Sequence, residues 1–350
     1  MRAFSLAGAK PKAMKKRLIQ LAAGLIIGAG CVWLALRGVD FRQMGRALAG
    51  AHYGYVCASV AAMMLGHCLR ALRWRCLLAP VQTVAVGRLF SALMIGYAAN
   101  SFVPAHLGEL LRAYVLGKKS AVSGGAAFAS IVVERIIDVI SLIGLMALVV
   151  IVHPFPRWVE ASGVLMLAGS LALLAVLVVC KRFEAQALGL LRRVFAPLPE
   201  RAGRRIESLV LNFLQGVQPP ASAVHYLAVG GLSAAIWACY AAVYYLCQAA
   251  FDLTSLYALP WYAGLVVLVL TTVSVVVPST PGYVGTFHYL CQVALLMFNV
   301  PASEALSFAI VAHAVGVLPV TLIGLAAAQV EGVAILRTAQ TLKKGPPHGT

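Results

Sequence analysis

Three of the eleven acidic side chains, Glu109, Glu134 and Asp138, fall within stretches that are otherwise apolar. An ionised carboxylate at the centre of a bilayer costs on the order of 2.5–3.5 kcal/mol on the insertion scale, so side chains placed there pair, face a cavity and carry function. Arginines stand at helical range of two of them. Glu109 and Arg112 are three residues apart, as are Arg135 and Asp138, and Glu134 and Asp138, four apart, share one helix face. Two roles follow. Arg112 and Arg135 present planar forks that match a phosphate diester, while the carboxylates can hold a cationic headgroup or exchange protons. Alternatively, the same residues close on one another as ion pairs that lock one segment to the next.

Further candidates surround these. Asn100 precedes an interruption at Val103-Pro104 and is either an ordinary helix-terminating residue or an additional ligand. His106, His288 and His313 lie in or beside interrupted segments, where an imidazole either titrates near neutral pH or serves as a hydrogen-bonded packing group. Pro278, Pro281, Gly282 and Gly285 form a turn followed by a helix start. Its amides either present an anion site at a helix N-terminus or merely break the helix. The eight cysteines include no CxxC pair, and the chain holds no HExxH or aspartate-rich prenyl-diphosphate motif. Neither a metal nor a cofactor is expected, and the expected activity is not enzymatic.

The elements that must position these groups are membrane helices. Apolar residues make up 61% of the 350 residues and the mean hydropathy is +0.90, far from the composition of soluble domains. The expected class is all-α, a polytopic transmembrane helical bundle. Spans long enough to cross run from Leu18 to Leu36, Tyr53 to Leu72, Ala126 to Val152, Ala161 to Cys180, Val224 to Ala250 and Leu306 to Val330. Val86 to Gly117 and Tyr257 to Asn299 differ, each being two helical stretches around a Pro/Gly break. Each is either a re-entrant hairpin or a pair of crossings, and either choice returns the chain to its starting side.

The net charge of +17 sits in blocks between the apolar runs, without the aromatic interleaving of a nucleic-acid platform. Positive-inside topology accounts for it. With both termini cytoplasmic, the inner face collects Arg70, Arg73, Arg75 and Arg88, then Lys118 and Lys119, the block from Lys181 to Arg205, and finally Arg337, Lys343 and Lys344. The organisation is then a basic cytoplasmic tail (1–17), a transmembrane domain (18–330) containing a cytoplasmic interfacial segment (181–220), and a C-terminal cytoplasmic tail (331–350). The expected setting is a plasma (inner) membrane.

An internal repeat is also visible. Val103-Pro104 and Gly108 recur as Val277-Pro278 and Gly282, 174 residues later; Phe128-Ala129 and Leu142-Ile143-Gly144-Leu145 recur as Phe308-Ala309 and Leu322-Ile323-Gly324-Leu325, 180 residues later. In this threading the span from Ala126 runs outward and that from Leu306 inward, so the repeat is expected to be inverted. Interrupted segments in corresponding halves then mark a transport site.

Three motifs in order, Asn100-x3-Pro104-Ala105-His106-Leu107-Gly108-Glu109-x2-Arg112, Glu134-Arg135-x2-Asp138, and Pro278-Ser279-Thr280-Pro281-Gly282-Tyr283-Val284-Gly285, make the chain resemble the lysylphosphatidylglycerol synthase transmembrane-region family, also called flippase-like or UPF0104. The likeness covers roughly Leu18 to Gln329. The resemblance implies a membrane domain that moves a lipid between leaflets, with a phospholipid, polyprenyl-linked or hopanoid-type lipid as substrate and lipid-biosynthesis enzymes as partners; the alternatives are an intramembrane enzyme acting on a lipid phosphate or glycan carrier and an accessory scaffold of a lipid pathway. No synthase domain accompanies it here. Where this chain has His106 and His288, the family more often has Arg and Glu.

Overall fold

The computed structural model describes residues 26–103, 107–152, 157–195, 200–216, 222–273, 280–335 and 338. The basic tail, the first turns of the span from Leu18, the residue His106 and most of the C-terminal tail lie outside them. Among the described residues the architecture is all-helical. Its helices are α1 (Ile26–Leu36), α2 (Phe41–Gly50), α3 (Tyr53–Leu78), α4 (Val86–Phe102), α5 (Leu107–Lys119), α6 (Gly124–Val150), α7 (Arg157–Arg182), α8 (Glu184–Val194) and α9 (Glu200–Gly216). The second half comprises α10 (Ala223–Ala250), α11 (Leu253–Tyr257), α12 (Ala263–Val273), a 3-10 turn at Pro281–Tyr283, α13 (Thr286–Leu296) and α14 (Ala302–Val330).

Four of these, α3, α7 from Gly163, α10 and α14, are long and apolar enough to cross a membrane. At 1.5 Å per residue, the 27 residues of α6 also exceed the ~30 Å hydrocarbon core, but its apolar run is broken by Glu134, Arg135 and Asp138. Each interrupted region is a packed pair of short helices, α4 with α5 and α12 with α13. Both pairs precede a long helix, α6 in one half and α14 in the other.

α4 ends because Val103, which precedes Pro104, is pushed into extended backbone. α3 does not end at Leu72 but runs on to Leu78. Arg70 and Arg73, counted above with the basic residues of the inner face, are buried residues inside this helix. The polar segment after α7 forms two helices. α8 leaves Leu190 and Val194 exposed, whereas α9 packs on α6, with Phe213 against Phe128.

Among the described residues the apolar core has two large clusters, one centred on α3, α4 and α5, the other on α10, α12, α13 and α14, and two smaller ones. Inside a bilayer burial supplies little drive, so close packing at small residues must hold helices together. Gly66 of α3 shows this, since a Cβ there would lie 3.0 Å from Tyr240 of α10. α14 links the halves and is clamped at both ends. Near its start, Gln43 of α2 donates to Glu304 at 2.7 Å, and the amide of Asp40 donates to Ser303 at 3.0 Å. Just past its end, Glu331 accepts from Lys119 of α5 at 3.0 Å and from Ser91 of α4 at 3.1 Å. The Lys119 ammonium holds the Glu331 carboxyl below the usual carboxylate range.

The α4–α14 crossing depends on Gly324, where a Cβ would collide with the Met94 carbonyl oxygen and come within 2.6 Å of Ala98 Cβ. We expect Gly324→Leu to cost about 1–3 kcal/mol through overpacking, lowering the melting temperature in detergent. Gly144→Leu, at a position with open space around it, should leave it unchanged; equal behaviour of the two would contradict this packing.

Candidate functional site

The two broken helices place their polar residues by local capping. The Asn100 side chain accepts from the Gly108 amide at 2.8 Å, tying the last turn of α4 to the first of α5. Glycine is required at this approach, because a Cβ on Gly96 would sit 2.8 Å from the Gly108 carbonyl oxygen. Glu109 thereby falls in the first turn of α5, where the helix dipole favours a carboxylate. In the second half, Gly282 and Gly285 take positive φ (69° and 91°), which glycine adopts without strain. The Gly285 side faces α1 so tightly that a Cβ would strike the Gly28 carbonyl.

α3, α5 and α6 then meet through charge. Asp138 accepts from Arg70 on one oxygen and from Arg73 on the other, both at 2.5 Å. Glu134 accepts from Arg112 at 2.7 Å, with Arg70 and Arg73 at 3.5 and 3.6 Å. Arg112 stacks on the Trp74 ring at 3.6 Å, and the Trp74 indole donates to Ser130 at 2.8 Å. Arg73 also donates to Ser233 of α10 at 3.0 Å, and Arg70 to the Tyr97 hydroxyl at 2.7 Å. Arg135 stands apart: it approaches Glu109 at 3.6 Å and Asp138 at 3.7 Å.

Beside this lattice, against the apolar cluster of α10, α12, α13 and α14, lies a cavity of about 390 Å³. Its lining combines Arg70, Asn100, Glu109, Arg135 and Asp138 with apolar and aromatic side chains that include Trp237, Tyr240, Tyr244, Phe287 and Val320, Arg70 lying over the Tyr240 ring at 5.9 Å. Residues from both helix pairs, α4/α5 and α12/α13, and from α14 border it. The arrangement can hold an amphipathic molecule with its charged part at the lattice and its apolar part along α10 and α14.

The sequence candidates separate by position. Asn100, Glu109, Arg135, Asp138, Gly282 and His313 line the cavity. Arg112 and Glu134 are 2% and 0% exposed and form a closed pair away from its lining. Pro281 and Gly285 shape the turn. His288 packs edge-on against His313, ring centroids 4.7 Å apart, while His313 donates to the Gly282 carbonyl at 2.7 Å. Within-helix pairing of Glu109 with Arg112 gives way to pairing across helices. Sequence reasoning missed Arg70, Arg73, His67, Tyr97 and Tyr240. For the arginines a signal existed: Arg70, Arg73 and Trp74 share one face of α3 and mirror the Glu134/Asp138 face of α6.

Neutralising one partner of a desolvated pair strands the other, at a cost of about 3–5 kcal/mol. Asp138→Asn should therefore destabilise the protein strongly in reversible detergent unfolding. Glu109→Gln, which removes a contact longer than a hydrogen bond, should cost below about 1 kcal/mol. The reverse order of these two losses would rule out the pairing described.

A family model described as the lysylphosphatidylglycerol synthase TM region matches residues 21–324. A UPF0104 membrane protein of Methanothermobacter thermautotrophicus is 27% identical over 321 residues, 87% of this chain and 89% of its own length. Glycosyltransferase AglD of Haloferax volcanii is 27% identical over 136 residues, 39% of this chain but 22% of that protein. No solved structure matches the chain significantly. With helices of membrane-spanning length and a match that covers most of its residues, the chain is a multi-pass membrane protein and belongs to the lysylphosphatidylglycerol synthase TM region family.

Proposed function

We propose that this protein is a lipid translocase that moves a phospholipid, polyprenyl-linked or hopanoid-type lipid between leaflets, without chemical conversion and without a cofactor. The observation that carries this is the cavity: part of a buried ionic lattice and a largely apolar and aromatic lining in one space, with both interrupted helix pairs at its border. An amphipathic lipid has the same division. Membership of a family described by a lipid synthase's membrane region supports it.

In this reading the pairs α4/α5 and α12/α13 are re-entrant and belong to an inverted repeat, entering from the cytoplasmic and opposite faces. The short lengths of α5, α12 and α13, 13, 11 and 11 residues, support that, since each falls short of a ~30 Å core. Non-helical backbone at depth must line a cavity or be buried in protein, and the turn at Pro281–Tyr283 does so through Gly282 and Tyr283. Alternating movement of the two pairs would open the cavity to one leaflet at a time. The termini are cytoplasmic, the setting is the plasma (inner) membrane, and lipid-biosynthesis enzymes are its natural partners. The partial likeness to a protein named as a glycosyltransferase favours one second reading, action on a lipid-linked glycan carrier.

The test is reconstitution into phosphatidylcholine vesicles with fluorescent lipids, followed by dithionite quenching of the outer leaflet. Gly316 lines the cavity with only Met63 nearby, so Gly316→Phe should fill the space while leaving the lattice intact. We expect lipid movement above protein-free vesicles for the wild type and a loss of at least about tenfold in the variant, the effect of 1.4 kcal/mol on a barrier. Wild-type vesicles indistinguishable from protein-free ones would refute translocation. Recovery of a modified lipid would establish the second reading instead.

A further inference from the structure

We infer that α8 is an in-plane anchor that docks on the anionic phospholipid surface of the leaflet where α7 ends, with Phe183, Leu190 and Val194 entering the acyl boundary and Arg182 and Arg193 meeting the headgroups. Among the described residues none from α7, α8 or α9 lines the cavity, and the anchor serves whether or not the protein moves lipid. The sequence supplies the charge: from Lys181 to Arg205 there are seven basic residues against Glu184 and Glu200. A polybasic stretch beside a spanning helix is drawn to anionic lipid.

The fold supplies the apolar face. Phe183, Leu190 and Val194 are 50%, 64% and 61% exposed, and helical spacing puts them on one side of α8 together with Ala187. Val176 and Val179, also exposed, carry the same stripe back along α7, a helix of spanning length. The face of α8 therefore continues an apolar surface that already meets lipid. At Phe183 ψ is 46°, where a helix has about −42°, so α8 turns from the axis of α7 instead of running straight out into water.

Charge flanks the stripe. Arg182 and Arg193 lie about a quarter-turn to one side of it; both are exposed, and neither has an ion-pair partner among the described residues. Leu188 and Leu191, half-buried, lie to the other side, and Arg192, opposite the stripe, pairs with Glu207 of α9. An exposed apolar stripe edged by arginines is the pattern of an interfacial helix. A second copy of this chain would bring its own arginines to the same edge, like charge against like. α9 carries the position of α8 to α6, because a Cβ on Gly216 would strike the Ala126 carbonyl and one on Gly125 would lie 2.9 Å from Asn212 Cβ. Docking of α8 thus sets the first turns of α6, the helix of Glu134, Arg135 and Asp138, against the leaflet.

The test is hydrogen–deuterium exchange of the full chain in nanodiscs of phosphatidylcholine alone and of phosphatidylcholine mixed with phosphatidylglycerol, read on peptides covering Phe183 to Phe195. We expect exchange there to be at least about tenfold slower with phosphatidylglycerol, since each arginine near an anionic surface adds to the attraction. Added salt should shrink the difference. Peptides of α13, remote from this surface, should exchange alike in both lipids. Arg182→Gln combined with Arg193→Gln should remove most of the difference, and Leu190→Ser combined with Val194→Ser should speed exchange in both lipids. Equal exchange of the wild type in the two lipids overturns the anionic surface, whether the segment is fast, as in water, or slow, as beneath a second copy or another protein. Slowing that extends equally to α13 is general stabilisation and overturns it too, as does slowing that survives the loss of both arginines. None of these outcomes bears on translocation, which is read from lipid movement alone.

Discussion

The carboxylate of Asp138, shared between Arg70 and Arg73, is the contact on which the arrangement of the first half depends. In lipid, apolar side chains gain little by leaving one apolar surroundings for another, so a buried charge that must find its counter-ion becomes the strongest organiser available. Here two arginines from α3 and one from α5 converge on two acids of α6. Such a lattice contributes little net stability over a well-packed apolar core. Its effect is on specificity, because any other register of these three helices leaves a charge unpaired.

The closed part of the lattice has a consequence for its open edge. Arg112 and Glu134 pair at 2.7 Å away from the cavity lining, with Trp74 stacked against Arg112, and this holds α5 against α6. Glu109, one turn before Arg112, and Arg135, the residue after Glu134, are then held near the cavity but too far apart for a hydrogen bond. A pair kept slightly open by the closed pair beside it is suited to receiving a polar ligand, since no existing bond has to be broken first.

The second half contributes shape rather than charge. Tyr240, Trp237 and Tyr244 of α10 supply aromatic surface, and the turn at Gly282 is pinned by His313 of α14. α14 touches both halves and is held by α2 near one end and by Lys119 and Ser91 near the other. α14 therefore packs against a member of each broken pair, α4 and α13.

By itself the sequence determined the class of the protein, its helical periods and the breaks. Apolar runs of spanning length, Pro104 after Val103, and the glycines at 282 and 285 act through local backbone physics and leave few alternatives. It also marked Glu134, Arg135 and Asp138 as costly enough to require partners. Which partners, only the tertiary structure decided. Helical spacing pointed Glu109 to Arg112, while the packed helices join Glu109 to Arg135 and Arg112 to Glu134. Charge counting grouped Arg70 and Arg73 with the basic residues of the inner face and gave no sign of their burial, because a charge near the end of an apolar run looks the same whether the helix stops or continues. The difference lies in a carboxylate more than sixty residues away, and that distance is closed by packing, which no local pattern encodes.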